Sequence, residues 1–443
     1  MSFVFGWLLN GVYLLLLAAI APVLITKRLT QGKYRRGWRE KLTGKLSRQY
    51  PERPCIWFHA VSVGEVVLLQ TVLADTAARF PDAELLVTVT TETGYDVART
   101  KYPQHSVAYF PLDFTWAVGN ALTVIRPDLI VLVELELWPN FILTARRRRL
   151  PLVLINGRIG EKSFRGYARL KPLMTRLLSC FDALAVQNEI YAERLLALGA
   201  PTKHVHVTGN IKFDGVQADR DNPKTLELRS ALRIHPSDRV LIAGSTQAPE
   251  ESYALETWLE LRNRFPGLRL ILVPRHKERF EEVAKLVRQR GCTLIRRSEA
   301  TTSIASAIPA NRETEVPPVG LLDTLGELAA CWGLADIAFV GGSLTNRGGQ
   351  NMIEPAGYGD AVLFGPNTWN FKDVAEALLS HRAARVVAGP DDLLEAVDDL
   401  LRRPEEARRM GDAARAFVAT QQGATQRTVE LIATALTRRT TAK

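Results

Sequence analysis

Four cysteines are thinly spread over the 443 residues, at Cys55, Cys180, Cys292 and Cys331, and no two form a CxxC pair. That distribution argues against a disulfide framework or a zinc site of the usual spacing. Reduced thiols in a cytosolic body are the simpler reading. No GxxxxGK[ST] stretch occurs, and no clean GxGxxG follows a first strand, so the common NTPase and dinucleotide fingerprints are missing. There is no fixed-period repeat and no long low-complexity tract. Residues 3–25, FVFGWLLNGVYLLLLAAIAPVLI, lack charge altogether.

That last absence is informative. At 1.5 Å per residue, roughly 20 such residues cross a bilayer core as a helix. KRLTQGKYRRGWREK comes next, dense in Lys and Arg, and is expected on the cytoplasmic side. A cleaved signal peptide carries its charges before the apolar run, whereas here they come after it. The expectation is an uncleaved anchor over 1–26 with the rest of the chain cytoplasmic. The alternative is a helix lying on the membrane, an option that Asn10 and Pro22 keep open by interrupting the run.

The chain as a whole is globular in composition, with 47% apolar and 23% charged residues, and its length fits two or three domains. Lys and Arg number 57 against 47 Asp and Glu, a balance that suits an anionic partner. Short apolar runs alternate with amphipathic stretches. CIWFHAV, ELLVTVT, SVAYFP, LIVLVEL, LVLIN, ALAVQ and HVHVT read as buried strands, and the rhythm restarts with RVLIAG, LRLILV, CTLIR, DIAFVGG and AVLFG. Strand–helix alternation predicts two doubly wound α/β domains with parallel sheets. The first spans 27–213 and the second 237–443, with 214–236, rich in polar residues, as linker.

Ligands of open α/β sheets bind beyond the carboxyl ends of the strands. After successive strands of the first domain come His59, Ser62, Gly64 and Glu65; Glu134, Glu136, Trp138 and Asn140; Asn156 and Arg158; and Asn210 and Lys212. The second domain places Gly244 and Ser245, Pro274, Arg275 and His276, the pair Gly341–Gly342, and Gly348, Gly349, Asn351 and Glu354 at the same edge. Small residues let backbone amides approach a phosphate, and a nearby carboxylate can accept ribose hydroxyls, so a nucleotide site is expected there. Ordinary alternatives stand beside each. A glycine pair is also plain turn chemistry. Glu134 or Glu136 could be an ion pair beneath Arg158, His59 a core histidine, and Glu65 a surface carboxylate. ARRRRL at 145–150 reads as a helix end near anionic membrane, and DRD at 219–221, lying in the linker, as no metal site.

In order along the chain stand HxVSVGE, ExExWPN, NxR with SxxGY, GNxKFD, GST, LVPRH, LGEL, FVGGSL, GGxNxxEPA and GPxTxNF. Together they resemble the 3-deoxy-D-manno-octulosonic acid (Kdo) transferase family, over essentially the whole chain. The resemblance implies a GT-B fold, two Rossmann-like domains with an N-terminal membrane-anchor helix. The acceptor, a lipid A precursor, belongs to the first domain, and CMP-Kdo to the second. It implies an inverting transfer that uses no metal and no cofactor beyond the CMP-Kdo donor, at the cytoplasmic face of a bacterial inner membrane. Glu65 matches the catalytic base, and Glu134 and Lys212 match transition-state stabilisers. Pro274 and Arg275, then Leu325, Gly326 and Glu327, then Asn351, Met352, Ile353 and Glu354 match the CMP-contacting segments, with Arg275 toward the phosphate and Glu354 toward the ribose. The chain departs from the family at Gln247, Gln350 and Asn367, where histidine is usual. An amide keeps hydrogen bonding there but loses proton transfer and charge.

Three rival readings remain at this level: another GT-B transferase or nucleotide-sugar epimerase, a silent membrane-bound scaffold, and a nucleic-acid binder. The last needs one basic stripe with interleaved aromatics. Here the basic residues gather beside the apolar segment instead, so the expected partners are anionic membrane and the two sugar substrates, with no nucleic acid.

Overall fold

The computed structural model describes residues 2–32, 35–300 and 316–441. The chain divides into two compact units, 1–214 with 422–443, and 215–421.

The first unit holds a seven-stranded parallel sheet. Its strands are β1 (Cys55–Ala60), β2 (Glu84–Val89), β3 (Ser106–Tyr109), β4 (Leu129–Val133), β5 (Leu152–Gly157), β6 (Ala183–Val186) and β7 (Val205–Val207), in spatial order 3-2-1-4-5-6-7. All seven coincide with apolar runs in the sequence. Side chains of a strand alternate between faces, and a parallel sheet is covered on both. In β4, Ile130 and Leu132 enter one core with Trp57, Phe141 and Leu154, while Leu129, Val131 and Val133 enter the other with Phe58, Leu69 and Val153. Continuous hydrophobicity therefore reports burial on both sides.

The second unit repeats the plan with β8 (Arg239–Thr246), β9 (Leu268–Pro274), β10 (Leu294–Arg296), β11 (Val319–Leu321), β12 (Ile337–Val340), β13 (Ala361–Phe364) and β14 (Ala384–Val386), in order 10-11-9-8-12-13-14. The strands β11 (Val-Gly-Leu) and β14 (Ala-Arg-Val) are short and broken by Gly320 and Arg385, and they do not stand out as apolar runs in the sequence. Each sheet reverses its strand order beside its first strand, between β1 and β4 and between β8 and β12. Such switch points open a crevice at the carboxyl edge. Two Rossmann-like units of this kind make the chain GT-B-like.

Two segments lie differently from the expected domain limits. The stretch 214–236 contains a helix, Pro223–Ala231, capped by Asn222 and burying Leu228 in the second unit. Within it, DRD acts as a strap. Arg220 pairs with Asp360 at 2.5 Å and donates to the Ala335 carbonyl at 2.7 Å. The closing helix Ala424–Thr441 belongs to the first unit, not to the second. Its Ala424, Val429 and Ile432 join Val153, Ile155 and Ile211 in one core.

Candidate active site

β1 ends in the turn that Ser62 and Gly64 make, and the helix Val63–Arg79 begins there. Ser62 is its N-cap and Glu65 its third residue, the arrangement of a capping box. The Glu65 N–H donates to Ser62 Oγ at 3.3 Å, and the Ser62 hydroxyl donates to Glu65 Oε1 at 2.7 Å. Val61 N–H donates to Oε2 at 2.8 Å. Both carboxylate oxygens are thus oriented, and Glu65 is only 8% exposed, so it is no surface glutamate. Burial raises its pKa, the Val61 and Ser62 donors oppose that, and repulsion from Glu134 adds to the rise; the balance lies above the ordinary value.

Glu134 and Glu136 leave β4, the neighbour of β1 at the switch point. Glu134 adopts a left-handed backbone, φ 57°, and its N–H donates to the Ile155 carbonyl at 2.9 Å. A non-glycine residue held there is a sign of local constraint. The Glu136 carboxyl is pushed up to about 7 by burial and by repulsion from Glu65 and Glu134. Arg158 is exposed and forms no ion pair with either glutamate among the described residues, so the ion-pair alternative falls away. One strand over, buried Asn156 also has positive φ, 52°, and its Oδ1 accepts the Ile211 N–H at 3.1 Å. That bond fixes the turn Ile211–Phe213, which carries Lys212 after β7. Glu65, Glu134, Glu136, Asn156 and Lys212 therefore collect at one edge of one sheet.

Other residues singled out in the first unit are structural. His59 is fully buried, stacks on Phe110 at 3.6 Å and meets the Thr88 carbonyl through Nδ1 at 3.1 Å. Burial depresses its pKa to about 3, leaving it neutral. Asn140 is held by Asp113, whose carboxylate accepts the Asn140 and Phe141 N–H groups at 2.9 and 2.8 Å at the start of the helix Pro139–Arg147.

In the second unit, Pro274 ends β9 and Arg275 comes next with an exposed side chain, its N–H donating to the Thr246 carbonyl at 3.0 Å. Burial pushes the Glu354 carboxyl up, while the Asn351 and Trp332 side chains and the charge of Arg275 counter it. Arg275 and Glu354 are thus brought within electrostatic reach of one another. Asn351 Oδ1 accepts the Ile353 N–H at 3.1 Å, and Met352 and Ile353 are buried packing residues. Gly326 has φ 84°, beside an exposed Leu325. The Glu327 carboxylate is already engaged. Against the effect of burial, Lys224 at 2.7 Å, Thr324 and Arg297 at 3.0 Å hold it down to about 2. Its oxygens are thus committed to cations of this chain.

One reading of the glycines needs correction. The amides after Gly341–Gly342 are expected from the sequence to face a phosphate. They face Glu250, which is fully buried and accepts N–H groups from Gly342 at 2.7 Å, Ser343 at 3.0 Å, Leu344 at 2.9 Å and Gln247 at 2.9 Å. An internal carboxylate occupies the anion cradle and ties the loop after β8 to the loop after β12. Nothing in the sequence singles out Glu250 beyond its place as a glutamate shortly after a strand-end GSTQ. Gly244 likewise answers to packing, since a Cβ there would lie 2.4 Å from the Trp332 ring.

Comparison with known proteins fits this geometry. Residues 35–215 match the family model described as 3-Deoxy-D-manno-octulosonic-acid transferase (kdotransferase). The 3-deoxy-D-manno-octulosonic acid transferase of Haemophilus influenzae is 32% identical over 403 residues, covering 90% of this chain and 91% of the relative. That of Bordetella pertussis is 30% identical over 438 residues, covering 96% and 98%. Among solved structures, a UDP-GlcNAc 2-epimerase from Neisseria meningitidis bound to UDP-GlcNAc has a TM-score of 0.57 at 14% identity, over 86% of this chain and 100% of that one, a likeness of fold. With a relative this similar over nine-tenths of both chains, the protein belongs to the 3-deoxy-D-manno-octulosonic acid transferase family, a family of glycosyltransferases.

Proposed function

We propose that the protein transfers Kdo, with inversion, from CMP-Kdo to a lipid A precursor at the cytoplasmic face of a bacterial inner membrane. The supporting observation is Glu65, a buried carboxylate with raised pKa whose two oxygens each accept one hydrogen bond, at the switch point of the first sheet. In this reading Glu65 takes the proton from the acceptor sugar hydroxyl as that oxygen attacks the anomeric carbon of Kdo. The carbon–oxygen bond to CMP breaks in the same step, and CMP leaves with the electron pair. Glu134 and Lys212 stabilise the charge that develops at the transition state. A Cβ at Gly64 would meet nothing nearer than Ser62 Oγ at 3.7 Å, so the outer side of this turn is open to an acceptor.

The donor would sit at the carboxyl edge of the second sheet. Arg275 pairs with the CMP phosphate there, and Glu354 accepts ribose hydroxyls. Pro274, Leu325, Gly326, Glu327, Asn351, Met352 and Ile353 shape the surrounding segments. No metal or further cofactor enters this scheme.

Transfer of radiolabelled Kdo from CMP-Kdo to a tetraacylated lipid A precursor tests it, comparing the native chain with Glu65→Gln. Activity that collapses in the variant while CMP still binds supports the assignment. A variant as active as the native chain removes Glu65 from the chemistry. A native chain that binds CMP yet transfers nothing shifts the donor or acceptor to another sugar.

A further inference from the structure

An amide side chain in the middle of a bilayer-crossing helix is costly unless it finds partners. Asn10 has them, and they lie in the folded body. It is 2% exposed. Its Nδ2 donates to Thr115 Oγ1 at 2.7 Å, and its Oδ1 accepts the Thr115 N–H at 3.0 Å and Asn140 Nδ2 at 3.4 Å. Thr115 opens the helix Thr115–Ile125, whose own N-cap, Phe114, offers no side-chain bond; Asn10 supplies the missing cap from outside. One turn on, the Tyr13 hydroxyl donates to Asp113 Oδ2 at 3.0 Å, and its ring meets Phe114 edge-on. One turn back, a Cβ on Gly6 would lie 2.9 Å from Thr115 Cγ2. Positions 6, 10 and 13 share one helix face.

The chain beyond the helix returns to the same loop. Glu40 accepts the Tyr109 N–H at 2.8 Å, Leu112 N–H donates to the Lys41 carbonyl at 2.8 Å, and Arg36 pairs with Asp96 at 2.5 Å. The first turns of the apolar segment and the chain beyond it are thus both tied to residues 109–115 of the first unit, and Arg36 adds a tie to the helix Glu92–Lys101. The segment Phe5–Thr30 is long and apolar enough to cross a membrane. Crossing would put Gly6–Tyr13 toward the far side of roughly 30 Å of hydrocarbon from Lys27. A folded α/β unit cannot follow it there. Crossing and docking exclude each other.

The side turned away from the unit is apolar and exposed, with Trp7, Leu8, Leu15 and Leu29 each at least 60% accessible. Lys27, Arg28, Arg35 and Arg39 flank it, also exposed. An apolar surface edged by cations matches the boundary layer of an anionic bilayer. We propose that Ser2–Gln31 is an in-plane anchor: its Gly6–Asn10–Tyr13 face stays locked on the first unit while its opposite face lies in an anionic lipid surface. The anchor so placed holds the body flat on the membrane, whatever sugar the enzyme transfers.

A cross-link decides it. Gly6→Cys with Thr115→Cys places two thiols at the seam, and the four native cysteines are buried. The full chain is oxidised in isolated membranes and, separately, in detergent, and linked peptides are measured. Linked protein is then floated with vesicles of phosphatidylethanolamine and phosphatidylglycerol. The expected result is the same extent of linkage in both media, with the linked protein still floating. Replacing Lys27, Arg28, Arg35 and Arg39 together by Gln should lower flotation about tenfold or more. Linkage in detergent alone means the helix crosses the bilayer. Linkage in neither medium removes the docking, and linked protein that no longer floats removes the in-plane anchor; any of the three overturns the proposal. Equal flotation on phosphatidylcholine vesicles overturns the choice of anionic lipid.

Discussion

The carboxylate of Glu65 caps a helix and is the candidate base, and these roles pull its proton affinity in opposite directions. Donors from Val61 and Ser62 favour the charged form, while burial and the nearby Glu134 disfavour it more. Glutamine at 65 keeps an oxygen for the Val61 N–H, so Glu65→Gln should fold normally, bind CMP as before and lose at least ~10²-fold in kcat. Removing the neighbouring charge has a different signature. In Glu134→Gln the repulsion on Glu65 goes, its pKa falls, and the acid limb of the kcat/KM profile moves to lower pH, apart from any loss of rate. An unmoved limb would separate the two carboxylates. Glu136 makes a prediction about stability. Its carboxyl titrates near 7 in the folded chain against an ordinary 4.5, so the native state holds a proton that the unfolded state has released. Stability then falls as pH rises from about 4.5 to about 7. Glu136→Gln should remove that part of the decline, as read from denaturant midpoints across the window.

At the scale of elements, the turn after β1 joins fold and chemistry through one hydroxyl. Ser62 caps the helix Val63–Arg79 and donates to Glu65. Ser62→Ala should cost about 1 kcal/mol of stability. It should also lower kcat beyond what that loss explains, because Oε1 loses its donor; Ser62→Thr should restore both. Denaturant titration beside steady-state kinetics checks this. The same element shows what a sequence can disclose. The period and length of the apolar runs mark twelve of the fourteen strands, and the polar residues just past the strand ends mark Glu65, Glu134, Lys212 and Arg275 as edge residues, while Glu354 stands out by its place in GGQNMIEPA, at the start of the helix Ile353–Tyr358. Those signals are local. The partner of the Gly341–Gly342 amides is not, since Glu250 lies 92 positions from Gly342 and nothing in a glycine pair names the anion that fills it. Asn10 looks like a flaw in an apolar run for the same reason: its partners, Thr115 and Asn140, are more than a hundred residues away.

For the whole molecule, the chain's path is the feature least legible from its sequence. An amphipathic helix declares that it buries a face, not which sheet receives it. The last helix leaves the second unit at Gln421 and covers the first sheet. Its entry is fixed by Asp214, which accepts the Gly423 N–H at 2.7 Å, and by Arg427, which donates to the Thr208 carbonyl at 2.8 Å. The anchoring side chain is Ile432, fully buried with Val153 and Ile155. Truncating it leaves a cavity against the first sheet and should cost about 2–5 kcal/mol. The loss belongs to the first unit despite the position near the carboxyl terminus. Trp57 is buried in the first unit, Trp258 and Trp332 in the second. In Ile432→Ala, with Trp7, Trp38, Trp57, Trp116 and Trp138 changed to Phe so that the remaining fluorescence reports the second unit, the transition should keep its denaturant midpoint. With Trp258, Trp332 and Trp369 changed to Phe instead, the remaining fluorescence reports the first unit, and its transition should move to lower denaturant. If instead the second-unit transition moved and the first stayed, the closing helix would stabilise the sheet that precedes it in sequence, and the return to the first unit would not hold in solution.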